Sequence, residues 1–246
     1  MKRMRVAFFD FASCEGCQLQ VINMEEDLLQ ILEAMEVVSF REAMKEHSEE
    51  YDIAFVEGSI TRCSDEARLK GIRDNAEVLV ALGSCATLGG INCIKNFQEL
   101  ESVRRFVYGE GARFYETYPA RPIKAVVPVD IDIHGCPINR KEFAMVVKSL
   151  LMGKKPEIPN YPVCVECKMA GNICVFEKGM TCMGPVTRAG CGACCVTEGS
   201  VCWGCRGLVD NPNADSQREI LAKYGLTVGD VLNKFRLYTG FSEVAK

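Results

Sequence analysis

Fifteen cysteines in 246 residues, beside only two histidines, constrain this chain more than any other feature. In a short secreted chain such a count reads as a disulfide framework. This chain is long, and its opening "MKRMRVAFFDFA" carries Asp10 inside a short apolar run with no small-residue cleavage site after it. The expectation is a reduced, cytoplasmic chain whose cysteines are metal ligands. Zinc sites draw on both Cys and His. Iron–sulfur clusters are held by thiolates, four to a cluster. A Cys-rich, His-poor chain tilts toward clusters, with zinc on four cysteines still open. A net charge of −4 gives no electrostatic basis for nucleic acid. No apolar run is long enough for direct membrane insertion.

The first 150 or so residues alternate apolar runs with amphipathic segments. Strands are expected over 5–12 and 36–40, in 52–60 ending at Gly58, in the apolar part of 77–90, and in 125–137. Helices are expected over 17–35, 65–76, 101–109 and 140–151. The 17–35 helix rests on Leu19, Ile22, Leu28, Leu29 and Leu32, with the acidic tract 24–27 as a solvated face. Strands alternating with helices predict an α/β fold with a parallel sheet covered on both faces. Cys14 and Cys17 follow the first strand, Cys85 the fourth and Cys136 the last. Ligands bind outside the carboxyl ends of strands in such sheets. Three loops therefore bring four cysteines to one edge, each beside small residues: "CEGC", "GSCA", "HGCP". Small neighbours let the backbone aim N–H groups at the sulfurs of a cluster. The rival reading of "CEGC" is a redox dithiol.

Beyond about residue 155 the pattern changes. Residues 161–207 hold nine cysteines, with little strand or helix periodicity. So short a segment builds little core of its own, and metal binding couples directly to folding. Nine thiols supply two four-thiolate sites with one left over. Helical periodicity returns in "SQREILAKYG" and "VGDVLNKFRLY". The expected division is 1–155, an irregular Cys-rich two-cluster domain over 156–210, and a helical tail over 211–246.

Taken together, "SCEGCQ", "VEGSI", "GSCA", "HGCP" and "CMGPVTRAGC" resemble the small, electron-transferring subunit of NiFe hydrogenases. The likeness runs from residue 5 to about 207 and points to the cytosolic group of F420-reducing and F420-non-reducing hydrogenases and sulfhydrogenases. These belong to a superfamily shared with the 20 kDa subunit of NADH:ubiquinone oxidoreductase. The resemblance implies a flavodoxin-like domain and three 4Fe-4S clusters. The proximal cluster would sit on Cys14, Cys17, Cys85 and Cys136. The distal cluster would sit on Cys164, Cys167, Cys174 and Cys182, with Cys164 where periplasmic relatives often carry histidine. The medial cluster would sit on Cys191, Cys195, Cys202 and Cys205, with Cys195 as a fourth thiolate where those relatives often hold a three-iron cluster. A fourth thiolate implies a lower potential, suited to a flavin or Fe–S acceptor subunit. This chain carries no nickel-binding motif and no catalytic acid, base or nucleophile. The NiFe centre is therefore expected in a partner large subunit, across a large apolar interface near the proximal site. Two rivals stand beside this reading. One is a complex I-like Fe–S subunit of a quinone- or ferredoxin-linked oxidoreductase; such chains have adjacent cysteines in the first motif and lack the C-terminal module. The other is a scaffold stabilised by zinc on sets of four cysteines.

Several residues stay outside these sets. Cys63 and Cys93 are expected to be small buried hydrophobes. Cys194 competes with Cys195 for one ligand position. Glu57 is expected at the proximal edge, either near the cluster or in proton transfer, or else capping the helix that follows it. His134 is expected to be a satisfied structural histidine, and His47 an exposed one.

Overall fold

The computed structural model describes residues 3–242. In chain order its elements begin with β1 (Met4–Asp10), α1 (Gly16–Ile22), α2 (Glu26–Ala34), β2 (Met35–Phe40) and β3 (Ile53–Glu57). There follow α3 (Cys63–Asn75), β4 (Val78–Leu82), α4 (Gly83–Leu88), α5 (Leu100–Tyr108), β5 (Ile131–Ile133) and α6 (Arg140–Leu151). The remaining helices are α7 (Val163–Met169), α8 (Cys194–Thr197), α9 (Ala214–Lys223) and α10 (Val228–Thr239). Among the described residues the strands form one parallel sheet in the order β2-β1-β3-β4-β5. This is the flavodoxin-like order.

Successive strand side chains point to opposite faces, and here both faces are buried. Val6, Phe8, Ile53, Phe55, Val80 and Leu82 share one face with Val21 of α1, Ile31 of α2 and Phe143, Val146 and Val147 of α6. Ala7, Ala54, Val56, Leu79 and Ala81 share the other with Leu69 and Ile72 of α3. Large residues on the first face stack, Phe8 on Phe40 at 4.3 Å and on Phe55 at 4.9 Å between centroids. Such pairs contribute about 0.5–1.5 kcal/mol each beyond their burial. The helices start where side chains satisfy free N–H groups. Asn139 accepts from the N–H groups of Lys141 and Glu142 at α6, and Asp65 accepts from those of Thr61 and Arg62 at α3.

The element boundaries differ from the sequence expectation at three places. The 17–35 helix is two helices, broken where Glu25 takes φ 52° and Arg140 of α6 donates to the Asn23 carbonyl. The side chains of Glu26, Asp27 and Leu28 lie outside the described residues, and with them part of the solvated-face reading of 24–27. The apolar strand of 77–90 ends at Leu82, and the small residues after it form α4, not a loop. Six residues are too few to display a helical period. The strand in 52–60, expected to end at Gly58, ends one residue earlier at Glu57, and the chain turns at Gly58.

That turn lies at the topological switch point. β1 and β3 are neighbours, but the chain leaves β1 for β2 on the other side. Their exits are stitched by Phe11 N–H to Glu57 O (2.9 Å) and by Ala12 and Ser59 exchanging backbone bonds at 3.2 and 3.0 Å. Gly58 takes φ +99°, and a Cβ there would sit 2.6 Å from the Phe11 carbonyl carbon.

The Cys-rich segment builds a small apolar cluster of Val163, Val175, Ala193 and Val201 around Cys182 and Cys202. The helices after it pack Leu221, Val231 and Phe235 on Met183 and Val186. Gln217 of α9 donates to the Cys182 carbonyl at 2.7 Å. On the opposite flank, Arg236 of α10 lies over the Phe97 ring at 4.2 Å. Residues 243–246 of the expected tail lie outside the described residues. Gly58→Ala is expected to cost more than about 1 kcal/mol. Thermal unfolding followed by circular dichroism should show a midpoint at least about 2 °C lower.

Candidate metal centres

The strand ends place four thiols and one carboxylate together. Burial first, then Cys136, Glu57, Cys14 and Cys93, push the Cys85 thiol up to about 12. Burial and then Glu57 push Cys17 up, with Cys85 also adjacent and the Ile138 N–H opposing. Cys14, Cys17, Cys85 and Cys136, the expected proximal set, are thus electrostatic neighbours outside β1, β4 and β5. Glycines clear the space. A Cβ at Gly83 would lie 2.3 Å from Cys17 Sγ, at Gly90 3.1 Å from Cys85 Sγ, and at Gly16 3.3 Å from Cys14 Sγ.

Glu57 belongs to this group and caps a helix, though not the one that follows it. Its Oε1 accepts the Cys17 N–H at 3.2 Å and its Oε2 the Gln18 N–H at 3.0 Å, at the start of α1. Burial pushes this acid up, and the two N–H groups oppose the shift. His134 is buried with Nδ1 3.2 Å from Thr87 Oγ1. The Thr87 hydroxyl donates to the Gly83 carbonyl, so it accepts from His134. Burial, then Arg188, Arg206 and Lys124, push this imidazole down to about 3, so it is neutral.

The expected medial cysteines line a cavity of about 440 Å³ with Cys191, Cys194, Cys195, Cys202, Cys205 and Cys136 in its wall. Both members of the adjacent pair reach it. Cys205 is pushed up to about 12 by burial first, against the Cys136 N–H, with Cys191 and Cys195 as its nearest thiol neighbours. Cys194 adjoins Cys191 and Cys195. The expected distal cysteines also gather. Burial, then Cys182, Cys167 and Cys174, push Cys164 up to about 11. A Cβ at Gly184 would lie 3.3 Å from Cys182 Sγ and 3.4 Å from Cys164 Sγ.

The three groups are joined end to end. Between the first two, the Cys136 N–H donates to the Cys205 sulfur, and the Ser84 hydroxyl donates to the Cys205 carbonyl. Toward the third, Met183 N–H donates to the Cys202 carbonyl at 2.9 Å, and Cys182 and Cys202 are electrostatic neighbours.

Residues outside the sequence reading hold this arrangement. Arg206, beside Cys205, is 1% exposed. It donates to Ala189 O at 2.7 Å, to His134 O at 2.6 Å, and to both oxygens of Glu142 on α6 at 2.9 and 2.6 Å. Glu166, inside "CVEC", accepts the N–H groups of Gly190 and Gly192 at 2.9 Å each and so fixes the loop bearing Cys191. Its place between Cys164 and Cys167 was the available signal. Cys93 is buried and donates to Ala120 O at 3.3 Å, as a small core residue does. Cys63 is the correction: it is exposed at the start of α3. A first-turn position faces solvent where Asp65 turns inward to cap the helix.

These groups suit four-thiolate clusters. Backbone N–H groups of Ile138, Gly184, Ala193, Gly204 and Cys136 point at the sulfurs of the expected ligand cysteines, the donor type that stabilises bound thiolate. Burial keeps the Cys17, Cys85, Cys164, Cys202 and Cys205 thiols protonated without metal, so metal binding at them would displace protons. Among the described residues no three His, Cys, Asp or Glu side chains are grouped to hold a single ion. A tetrahedral zinc would draw its thiolates to within about 3.8 Å of one another.

The sequence profile described as NADH ubiquinone oxidoreductase, 20 Kd subunit, matches residues 14–150. Sulfhydrogenase 2 subunit delta of Pyrococcus furiosus is 35% identical, covering 96% of this chain and 99% of its own. A subunit of the F420-non-reducing hydrogenase vhu of Methanocaldococcus jannaschii is 30% identical, covering 97% of this chain and 94% of its own. A crystal structure of an NAD+-reducing NiFe hydrogenase in the H2-reduced state is similar at TM-score 0.58 and 25% identity, over 64% of this chain and 96% of that one.

Breaking one side of a buried ion pair costs about 3–5 kcal/mol because the other charge stays buried. Glu142→Gln is expected to lose that much in denaturant unfolding. Glu101→Gln, in the exposed pairs with Arg104 and Arg105, should lose no more than about 1 kcal/mol.

Proposed function

The chain belongs to the 20 kDa NADH ubiquinone oxidoreductase subunit family, and from that premise we propose that it is the electron-transferring subunit of a cytoplasmic NiFe hydrogenase. Three 4Fe-4S clusters would be held by Cys14, Cys17, Cys85 and Cys136, by Cys191, Cys195, Cys202 and Cys205, and by Cys164, Cys167, Cys174 and Cys182. When bound, each cluster takes up and releases one electron. A partner large subunit would hold the NiFe centre, and a flavin- or Fe–S-containing subunit would accept the electrons.

The observation that carries this reading is the order of the three thiol groups. Cys136 touches Cys205 through its N–H, and Cys202 adjoins Cys182. A series of redox sites in contact is what a conductor between two partners needs. Cys136 and Cys205 hold neighbouring sites, and Arg206 fixes their spacing. Ser84 of α4, one residue before Cys85, ties the same junction to the exit of β4. Full-length likeness to hydrogenase subunits, the Cys-rich segment included, supports this reading over the complex I-like one.

The surface supports two partners. Cys14 is exposed, and Leu19 and Ile91 stand exposed on the same edge. At the other end Met169 and Ile173 are exposed beside Cys167 and Cys174. Among the described residues no helix is long and apolar enough to cross a membrane.

Cutting the series in its middle separates its two ends. In the purified complex, Cys202→Ser should leave hydrogen–deuterium exchange by the partner within about threefold of wild type. H2-dependent reduction of the acceptor should fall at least tenfold, the range for disturbed metal sites. Equal loss of both activities, or of neither, would contradict the reading.

A further inference from the structure

The C-terminal helix brings one more side chain to the junction of the first two sites. Tyr238 of α10 lines the cavity together with Cys136, Cys195 and Cys205. In that cavity wall its hydroxyl faces the Cys136 thiol, and Cys205 and Cys195 are its next electrostatic neighbours. The helix is held in register on several sides. Thr227 and Asp230 form a capping box at its start. Phe235, three residues before Tyr238 and on the same helix face, is buried against the Cys-rich segment. Arg236 covers Phe97, and Lys234 lies 5.0 Å over Trp203. Gly240 brings the backbone so close that a Cβ there would meet the Phe97 ring at 2.9 Å. Tyr238 is therefore delivered to Cys136 by a braced element.

A phenol facing a ligand thiolate can only donate. A donor to a ligand sulfur stabilises the more negative, reduced state of a cluster and so raises its potential. We propose that Tyr238 donates a hydrogen bond to the Cys136 thiolate and is a positioning residue that raises the reduction potential of the proximal centre relative to its neighbours. The inference rests on the cluster reading above. It assigns the C-terminal helix a part in electron transfer.

The test is Tyr238→Phe in the full chain, purified anaerobically with its partner subunits. Removing one hydroxyl from a half-buried ring leaves the packing of α10 in place. Iron and sulfide content should equal wild type. An EPR-monitored redox titration should show the proximal signal, identified by its loss in Cys85→Ser, moved to more negative potential. The expected change is about three- to tenfold in its one-electron reduction equilibrium. Tyr108→Phe, on exposed α5 and stacked on Tyr115 at 4.3 Å, should leave it unmoved. An unmoved midpoint in Tyr238→Phe at full iron content would overturn the inference. So would loss of the cluster from that variant, since it marks a purely structural residue. A wild-type chain lacking iron and sulfide would instead fail the cluster reading itself.

Discussion

The buried pair between Arg206 and Glu142 is the contact on which the rest of the arrangement depends. A guanidinium 1% exposed and a carboxylate at 3% are costly to desolvate. The cost is offset only because nearly every donor is used. Two bonds go to the carboxylate, one to the carbonyl two residues before Cys136, and one to Ala189 on the way to Cys191. One side chain thus ties the sheet's last strand exit, helix α6 and the cysteine loops at a single point. Gly190 makes room for it, since a Cβ there would fall 2.3 Å from Arg206 Nη2. Without that knot the Cys-rich segment, with its small apolar cluster, would be held to the sheet mainly by its ligands and by α10.

The same logic recurs at smaller scale. Glu57 ties β3 to α1 through two N–H bonds, and Glu166 ties α7 to the Cys191 loop through two more. In each case a carboxylate satisfies free backbone donors beside cysteines, at Cys17 and at Cys191. Thiols are poor anchors before a metal arrives. Carboxylate, guanidinium and glycine therefore set the loops in advance, and the sulfurs converge as a consequence. A chain built to move electrons gains from this, because small changes in loop position change both the spacing of redox sites and the bonds to their sulfurs.

The parallel sheet and the place of Cys14, Cys17, Cys85 and Cys136 after its strands were legible because they rest on apolar periodicity, whereas the flavodoxin-like strand order and the other two cysteine sets rested on the resemblance alone. Cys14, Cys85 and Cys136 follow strands with clear apolar runs, and a parallel sheet gathers strand exits on one edge. What stayed hidden depends on contacts distant in sequence. Nothing near Glu142 announces an arginine 64 residues away. Glu57 was seen as a capping residue but assigned to the helix after it, because the neighbour across β1 is a tertiary fact. The break between α1 and α2 depends on Arg140, far down the chain. Cys63 was read as buried from the habit of its residue type, and the geometry of a first helical turn overrides that. Tyr238 looked like ordinary helix periodicity, and only the fold shows what it faces.

The most direct test of the account is the iron, zinc and acid-labile sulfide content of the anaerobically purified complex, expressed per copy of this chain after subtracting the partners' own metal. The account predicts about twelve iron and twelve sulfide, three clusters of four, with no stoichiometric zinc. About four iron would leave a cluster on the strand-end cysteines alone and break the series. Zinc without sulfide would contradict electron transfer through this chain altogether.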